Sequence, residues 1–249
     1  MENYRMRSFL ILFLITQPIA AEEKASLLSP DKRIVFLGDS NTYAGRYIIY
    51  LESHLRQAFP KKVPQLINLG LPSETASGLS EPDHPFPRPD VHERAERALK
   101  KSKPDVVFVC YGMNDGIYYP MSNKRFAAYQ DGIHKLIKKI KAVGAKVVLM
   151  TPPPFDPVPL KKKKKLRPAG AEKYAWFAPY ERYDEVLKGY ADWIMKQGEL
   201  VDQIIDIHTP TMEHLNQQRK KNPDYALAGD GVHPNAKGHR IIADAILKA

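Results

Sequence analysis

The chain is predicted to fold as one α/β domain, a parallel sheet with helices on both faces. Three observations predict it. Apolar runs such as Ile34-Val-Phe-Leu37 and Val106-Val-Phe-Val-Cys110 lack the alternation of a half-exposed strand, so they read as strands buried on both sides. Between such runs lie segments with apolar residues at helical spacing, and strands separated by helices imply right-handed crossovers between parallel neighbours. Finally, 249 residues with 43% hydrophobic and 27% charged side chains supply a core that needs no disulfide staples. The lone Cys110 can form no internal bridge. That composition also excludes a disordered, collagen-like or coiled-coil chain.

The first segment stands apart from the fold. Arg5 and Arg7 precede an apolar run, Phe9 to Thr16, followed by Gln17-Pro-Ile-Ala-Ala21. A basic region, a short apolar stretch and small residues are the layout of a secretory signal peptide, with cleavage expected after Ala21. The run is far below the roughly twenty residues that a membrane-spanning helix needs. Residues 1–21 are therefore expected to be a signal peptide, and residues 22–249 a single domain. An uncleaved interfacial anchor is the alternative. The mature protein is expected to be secreted or periplasmic, with no stable membrane insertion.

Each element follows from local pattern. Arg33 to Leu37, ending at Gly38, is the first strand. Tyr47 to Phe59 carries Ile48, Leu51 and Leu55 at helical spacing and is stopped by Pro60. Val63 to Leu69 is a second strand, which Pro64 moves to a sheet edge. Val91 to Lys101 reads as helix, and Asp105 to Cys110 as the strongest strand, rich in β-branched residues. Phe126 to Val143 is a long amphipathic helix capped by Gly144, and Ala145 to Met150 is the next strand. Pro152 to Pro179 breaks the rhythm with its prolines and with Lys161 to Lys165. It is too long for an idle connection, and reads as a mobile loop, a lid or a solvated excursion. Tyr180 to Gly198 is helical, Leu200 to Ile207 a strand, and Ala236 to Leu247 a closing helix.

The formal net charge is +10, half of it equalled by the lysine run alone, and no nucleic-acid-reading signature accompanies it. No nucleic-acid partner is expected. No His, Cys or carboxylate cluster has metal-ligand spacing, so no metal and no cofactor is expected. In parallel sheets the site lies beyond the carboxyl ends of the strands. Three motifs stand there: Gly38-Asp39-Ser40-Asn41 after the first strand, Tyr111-Gly-Met-Asn114-Asp115 after the third, and Asp230-Gly-Val-His233-Pro234 before the last helix. Singly, each is an ordinary cap or turn. A serine at a strand-to-helix turn can project its hydroxyl outward, an Asn amide can donate to an oxyanion, and an Asp three residues from a His can fix its tautomer. Jointly they are hard to explain as chance.

In that combination the sequence, from Arg33 to Ala249, resembles the SGNH (GDSL-type) hydrolases. The resemblance implies a flavodoxin-like three-layer α/β/α sandwich and metal-independent hydrolysis of carboxylic esters by a Ser-His-Asp triad. It makes Ser40 the nucleophile, His233 the general base and then acid, and Asp230 its orienting partner. Asp39 then serves the turn rather than acting as a base. The oxyanion hole implied is the N–H of Ser40, the side-chain amide of Asn114 and a backbone N–H from the block Asn68-Leu-Gly70-Leu-Pro-Ser73-Glu-Thr75. Aligning Asn68 and Thr75 puts Ser73 where the family carries glycine, and Gly70 is the rival donor. Acetylated glycan is the favoured substrate; a lipid- or thioester-directed acyl hydrolase and a non-catalytic glycan-binding relic are the alternatives. Tyr118, Tyr119, Trp176 and Phe177 either stack on sugar rings or anchor their loops. Cys110 reads as inert packing.

Overall fold

The computed structural model describes residues 27–249, so the expected signal peptide lies outside the described residues. Five parallel strands, β1 (Arg33–Gly38), β2 (Gln65–Asn68), β3 (Val106–Cys110), β4 (Lys146–Met150) and β5 (Gln203–Ile205), lie in the order β2-β1-β3-β4-β5. Eight α-helices accompany them among the described residues: α1 (Ser40–Tyr43), α2 (Arg46–Ala58), α3 (Ala95–Ser102), α4 (Asn123–Ala142), α5 (Val158–Lys162), α6 (Tyr183–Ile194), α7 (His208–Arg219) and α8 (Ala236–Lys248).

The uninterrupted apolar strands now have their reason. Successive side chains point to opposite faces of a sheet. Val35, Leu37, Val107, Val109, Val147 and Leu149 feed one core with α3, α4 and α6. Ile34, Phe36, Val106, Phe108, Val148 and Met150 feed a second core with α2 and α8. This is the expected three-layer α/β/α sandwich. Aromatic packing reinforces the first core, where Tyr129 stacks on Tyr190 at 4.3 Å and Phe126 on Tyr190 at 5.4 Å.

The differences from expectation are local. β2 begins only at Gln65 and forms the edge, as Pro64 requires. A 3₁₀ turn over Gly198–Leu200 shortens the last strand to Gln203–Ile205. Helix α7 has no strong apolar stripe and buries only His208, Thr211 and Leu215, which is why its sequence does not announce it. The proline-rich stretch from 152 to 179 is folded: it contributes α5, pairs Arg167 with Tyr180, and buries Phe155, Leu160 and Tyr174. Its lysines, 161 to 165, are all exposed.

The strand order fixes where a site can form. From β1 the chain crosses to β2 on one side, and from β3 to β4 on the other. The loops after β1 and β3 therefore diverge and leave a crevice at the carboxyl edge.

Candidate active site

Ser40 sits where β1 ends and α1 begins. Asp39, buried, is the N-cap of α1, and its side chain accepts the Asn41 N–H at 2.9 Å. That short helix start holds the Ser40 hydroxyl over the crevice. From the opposite end of the chain, the loop before α8 brings Asp230 and His233. Asp230 Oδ1 accepts the N–H of Val232 at 3.0 Å and of His233 at 2.9 Å, leaving Oδ2 to accept from His233 Nδ1 at 2.6 Å. His233 Nε2 lies 2.8 Å from Ser40 Oγ.

Electrostatics orients this chain of bonds. Burial pushes the Asp230 carboxyl up, but hydrogen bonds from the His233 ring and from two backbone N–H groups outweigh it and hold the acid well below the usual carboxylate range. An ionised carboxylate only accepts, so Nδ1 carries the proton, and Nε2 of the neutral ring accepts the Ser40 hydroxyl. The bond to Asp230 raises the imidazole above its ordinary 6.5 against the opposing effect of burial. Asp39 is pushed up to about 7 by burial and is engaged within its turn. Burial likewise raises the Cys110 thiol well above its usual range, as inert packing requires.

The second loop separates the two candidate backbone donors. Gly70 donates its N–H to Asn68 Oδ1 at 2.9 Å, while Asn68 Nδ2 donates to Thr42 O at 2.8 Å. A Cβ on Gly70 would lie 2.2 Å from Tyr43 N, so this glycine serves close approach of the β2 loop to α1. Ser73 instead lines the cavity beside Ser40, and its N–H has no protein acceptor among the described residues. Its φ is 65°, a left-handed backbone that costs a residue with a Cβ about 1–2 kcal/mol. Proline cannot adopt that φ, so glycine is the informative substitution there.

That strain is held in place by buried ion pairs. Arg88 donates to Ser73 O at 3.3 Å and makes a two-pronged pair with Glu81 at 2.6 and 2.7 Å. Glu74, next to Ser73, is clamped by Arg94 at 2.5 Å and by the Tyr111 hydroxyl at 2.5 Å. Asp115 Oδ1 accepts the N–H groups of Ala76 and Ser77, both at 2.8 Å, tying the β3 loop to the same segment. Burial pushes Asp115 up to about 6.

Asn114 is buried at the crevice floor. Its Nδ2 donates to Glu74 O at 3.2 Å, and its Oδ1 accepts from Tyr118 OH at 3.1 Å. Tyr118 stacks on Tyr183 at 4.9 Å, under the Arg88 guanidinium at 5.5 Å. Both Ile117 and Tyr118 have left-handed backbones, with φ of 47° and 63°. Tyr118 therefore orients Asn114 rather than offering a free face to a sugar. Tyr119 packs on Tyr174 at 4.9 Å and anchors its loop. Trp176 and Phe177 differ: they are 50% and 47% exposed, at the rim.

Ser40, Ser73, Asn114, Asp230 and His233 all line one cavity of about 360 Å³, whose rim adds Phe86, Trp176, Phe177 and Lys165. A model of the GDSL-like Lipase/Acylhydrolase family matches residues 36–241, a span that contains all five. The chain belongs to the GDSL-like lipase/acylhydrolase family. It is a hydrolase of carboxylic esters. An acetylxylan esterase from Geobacillus stearothermophilus is 22% identical over 238 residues, covering 87% of this chain and 93% of that protein. Among solved structures, an acetyl-xylooligosaccharide esterase variant from that organism is similar with a TM-score of 0.65 at 22% identity, over 89% of this chain and 95% of the other. A gut microbial diltiazem-metabolizing enzyme is similar with a TM-score of 0.67 at 22% identity, over 88% of this chain but only 46% of the other. The fold of this GDSL-like hydrolase is thus shared with enzymes of quite different size.

Sequence reasoning placed Ser40, Ser73, Asn114, Asp230 and His233, and the structure brings all five to one cavity. It missed Arg88, Glu81, Glu74 and Arg94. Their one signal is compositional: isolated charges in the proline-rich segment 72–94 between β2 and α3, with no periodicity to give them a face.

Proposed function

We propose that the protein is an exported esterase that removes acetyl groups from a carbohydrate. The observation that carries the reading is the unbroken relay Asp230–His233–Ser40, at 2.6 and 2.8 Å, opening on a cavity rimmed by exposed aromatic side chains. In this reading Ser40 Oγ attacks the acetyl carbonyl while His233 Nε2 takes its proton. The tetrahedral oxyanion rests on the N–H of Ser40, the N–H of Ser73 and Asn114 Nδ2. The imidazolium, stabilised by Asp230, then protonates the departing sugar oxygen. Water, activated by the same Nε2, attacks the acetyl-enzyme, and acetate leaves.

Similarity to an acetylxylan esterase over nearly the full length supports acetyl groups on a glycan as the substrate. Space supports it too: about 360 Å³ is near the small end of ligand cavities, suited to a short acyl group. Flat Trp176 and Phe177 offer stacking faces for sugar rings. The pattern of residues 1–21 supports export, and sequencing of the exported protein is expected to begin at Glu22. The deciding experiment is acetate release from acetylated polysaccharides, wild type against Ser40→Ala. Release is expected from the wild type alone, with 4-nitrophenyl esters turning over more slowly as the acyl chain lengthens. Faster cleavage of long-chain than of acetyl esters would transfer the reading to lipid substrates.

A pH dependence follows from the relay. The base form of His233 must be neutral, and its bond to Asp230 keeps it protonated to higher pH than a free imidazole. kcat/KM is therefore expected to rise with pH through a titration above 6.5 and to fall in acid. Asp230→Asn removes the carboxylate charge that raises the imidazole, so the titration should move down as kcat falls. A profile flat from pH 5 to 9 would contradict His233 as the base.

A further inference from the structure

One charge in the cavity wall has no part in ester hydrolysis. Of the ionisable side chains lining the cavity, Arg88 is buried against Glu81, the His84 ring bonds Phe86 O, and Asp230 and His233 form the relay. Lys165 remains, exposed and without a carboxylate partner among the described residues. Lys161 and Lys164 are likewise exposed and unpaired among the described residues, while Lys162 pairs with Asp224 at 2.5 Å.

A run of five lysines ordinarily stays extended in water, because like charges repel. Here the run is folded and closed. Helix α5 ends with the Lys164 N–H bonded to Lys161 O at 3.1 Å and the Lys165 N–H bonded back to Leu160 O at 3.1 Å. That is a Schellman closure, whose penultimate residue must be left-handed, a position that glycine usually fills. Lys164 occupies it with φ of 52°. Leu160, the anchor of the closure, is buried and lines the cavity together with Lys165. The turn is also fastened to the loop carrying the relay, since Lys163 Nζ donates to Gly229 O at 2.9 Å and Asp156 N–H donates to Gly231 O at 2.8 Å. A Cβ on Gly231 would meet Asp156 O at 2.6 Å, so the two segments lie backbone to backbone. The Lys165 charge is thus built into the wall of the cavity that holds Ser40.

We propose that the natural substrate is an anionic glycan, an acetylated sugar chain whose neighbouring residues carry carboxylates. The inference rests on the esterase reading above. With the acetyl-bearing sugar at Ser40, an acidic residue one position along the chain meets Lys165, and further ones meet Lys161 and Lys164. Trp176 and Phe177 take the apolar ring faces. Sulfate groups would be recognised by the same chemistry, and separate arms of the test tell the two anions apart.

The test measures acetate release by the mature chain from chemically acetylated xylan, polygalacturonate and a sulfated galactan, with 4-nitrophenyl acetate as an uncharged reference. kcat/KM is expected to be higher on acetylated polygalacturonate than on acetylated xylan, the advantage residing in KM. It should fade as salt rises from about 50 to about 500 mM, because exposed charges are screened. In the folded triple variant Lys161→Gln, Lys164→Gln, Lys165→Gln, the ratio of acidic to neutral kcat/KM should drop about tenfold, the scale of a few exposed charge contacts. A preference for the sulfated arm would support the anionic site and name sulfate as its ligand. Equal kcat/KM on all three polysaccharides, or a ratio indifferent to salt and to the lysine substitutions, would overturn the inference. If 4-nitrophenyl acetate itself is not cleaved, the esterase reading has failed instead.

Discussion

Ser40→Ala is expected to lower kcat on a small acetyl ester by about 10⁴–10⁶, the range for losing a triad nucleophile. The hydroxyl it removes lies at the crevice and bonds only His233 Nε2 among the described residues, so the fold and Tm should not change. His233→Ala should cost about as much, because without Nε2 nothing accepts the Ser40 proton. The double variant should be hardly worse than either, since the members of such a relay act as a unit. Turnover of Ser40→Ala within about tenfold of the wild type, far above the loss expected of a nucleophile, would remove Ser40 from the chemistry. Additive losses in the double variant would show that the two residues act separately.

The second large effect is at the oxyanion. Asn114→Ala should lower kcat by about 10²–10³ with little change in KM, because in the proposed mechanism the Nδ2 hydrogen not given to Glu74 O serves the tetrahedral intermediate. Asn114 also accepts from Tyr118 OH, so its loss leaves a buried hydroxyl unpaired at about 1–3 kcal/mol, and a lower Tm should accompany the kinetic defect. Ser73→Gly is the contrasting variant. Glycine keeps the N–H and relaxes a φ of 65°, so kcat should stay within a few fold while stability holds or rises. A crippled but folded Ser73→Gly enzyme would mean that the Ser73 side chain takes part. A fully active Asn114→Ala enzyme would empty that position of its role.

The layers of this fold were readable because parallel strands are buried on both faces. Arg33 to Leu37 and Asp105 to Cys110 have no polar alternation, and β1, β3 and β4 lie at the centre of the sheet as such runs must. The loops holding Ser40, Asn114 and Asp230–His233 were readable because those residue types in those short motifs resemble the motifs of the family whose model matches the chain. What supports them was not. Arg88 reaches Glu81 across 7 positions, and Arg94 reaches Glu74 across 20, separations that follow no helical or strand period. The left-handed backbones of Ser73, Ile117 and Tyr118 were equally hidden, because such conformations are signalled by glycine or asparagine and none of the three is either. Tyr118 shows the limit from the other side: an aromatic residue near a catalytic motif can be a sugar platform or a prop for Asn114, and only packing tells which.

Ser40 and His233 lie 193 positions apart, one near each end of the described chain, and they meet because α2 and α8 pack side by side beneath them. The Ser40–His233 pair is therefore a property of the finished chain. A ribosome-bound polypeptide holds the serine long before the histidine arrives. Loss of the final helix would remove the packing that brings the pair together without touching a single residue of the relay. Such wiring keeps the Ser40–His233 pair unformed until synthesis and folding end.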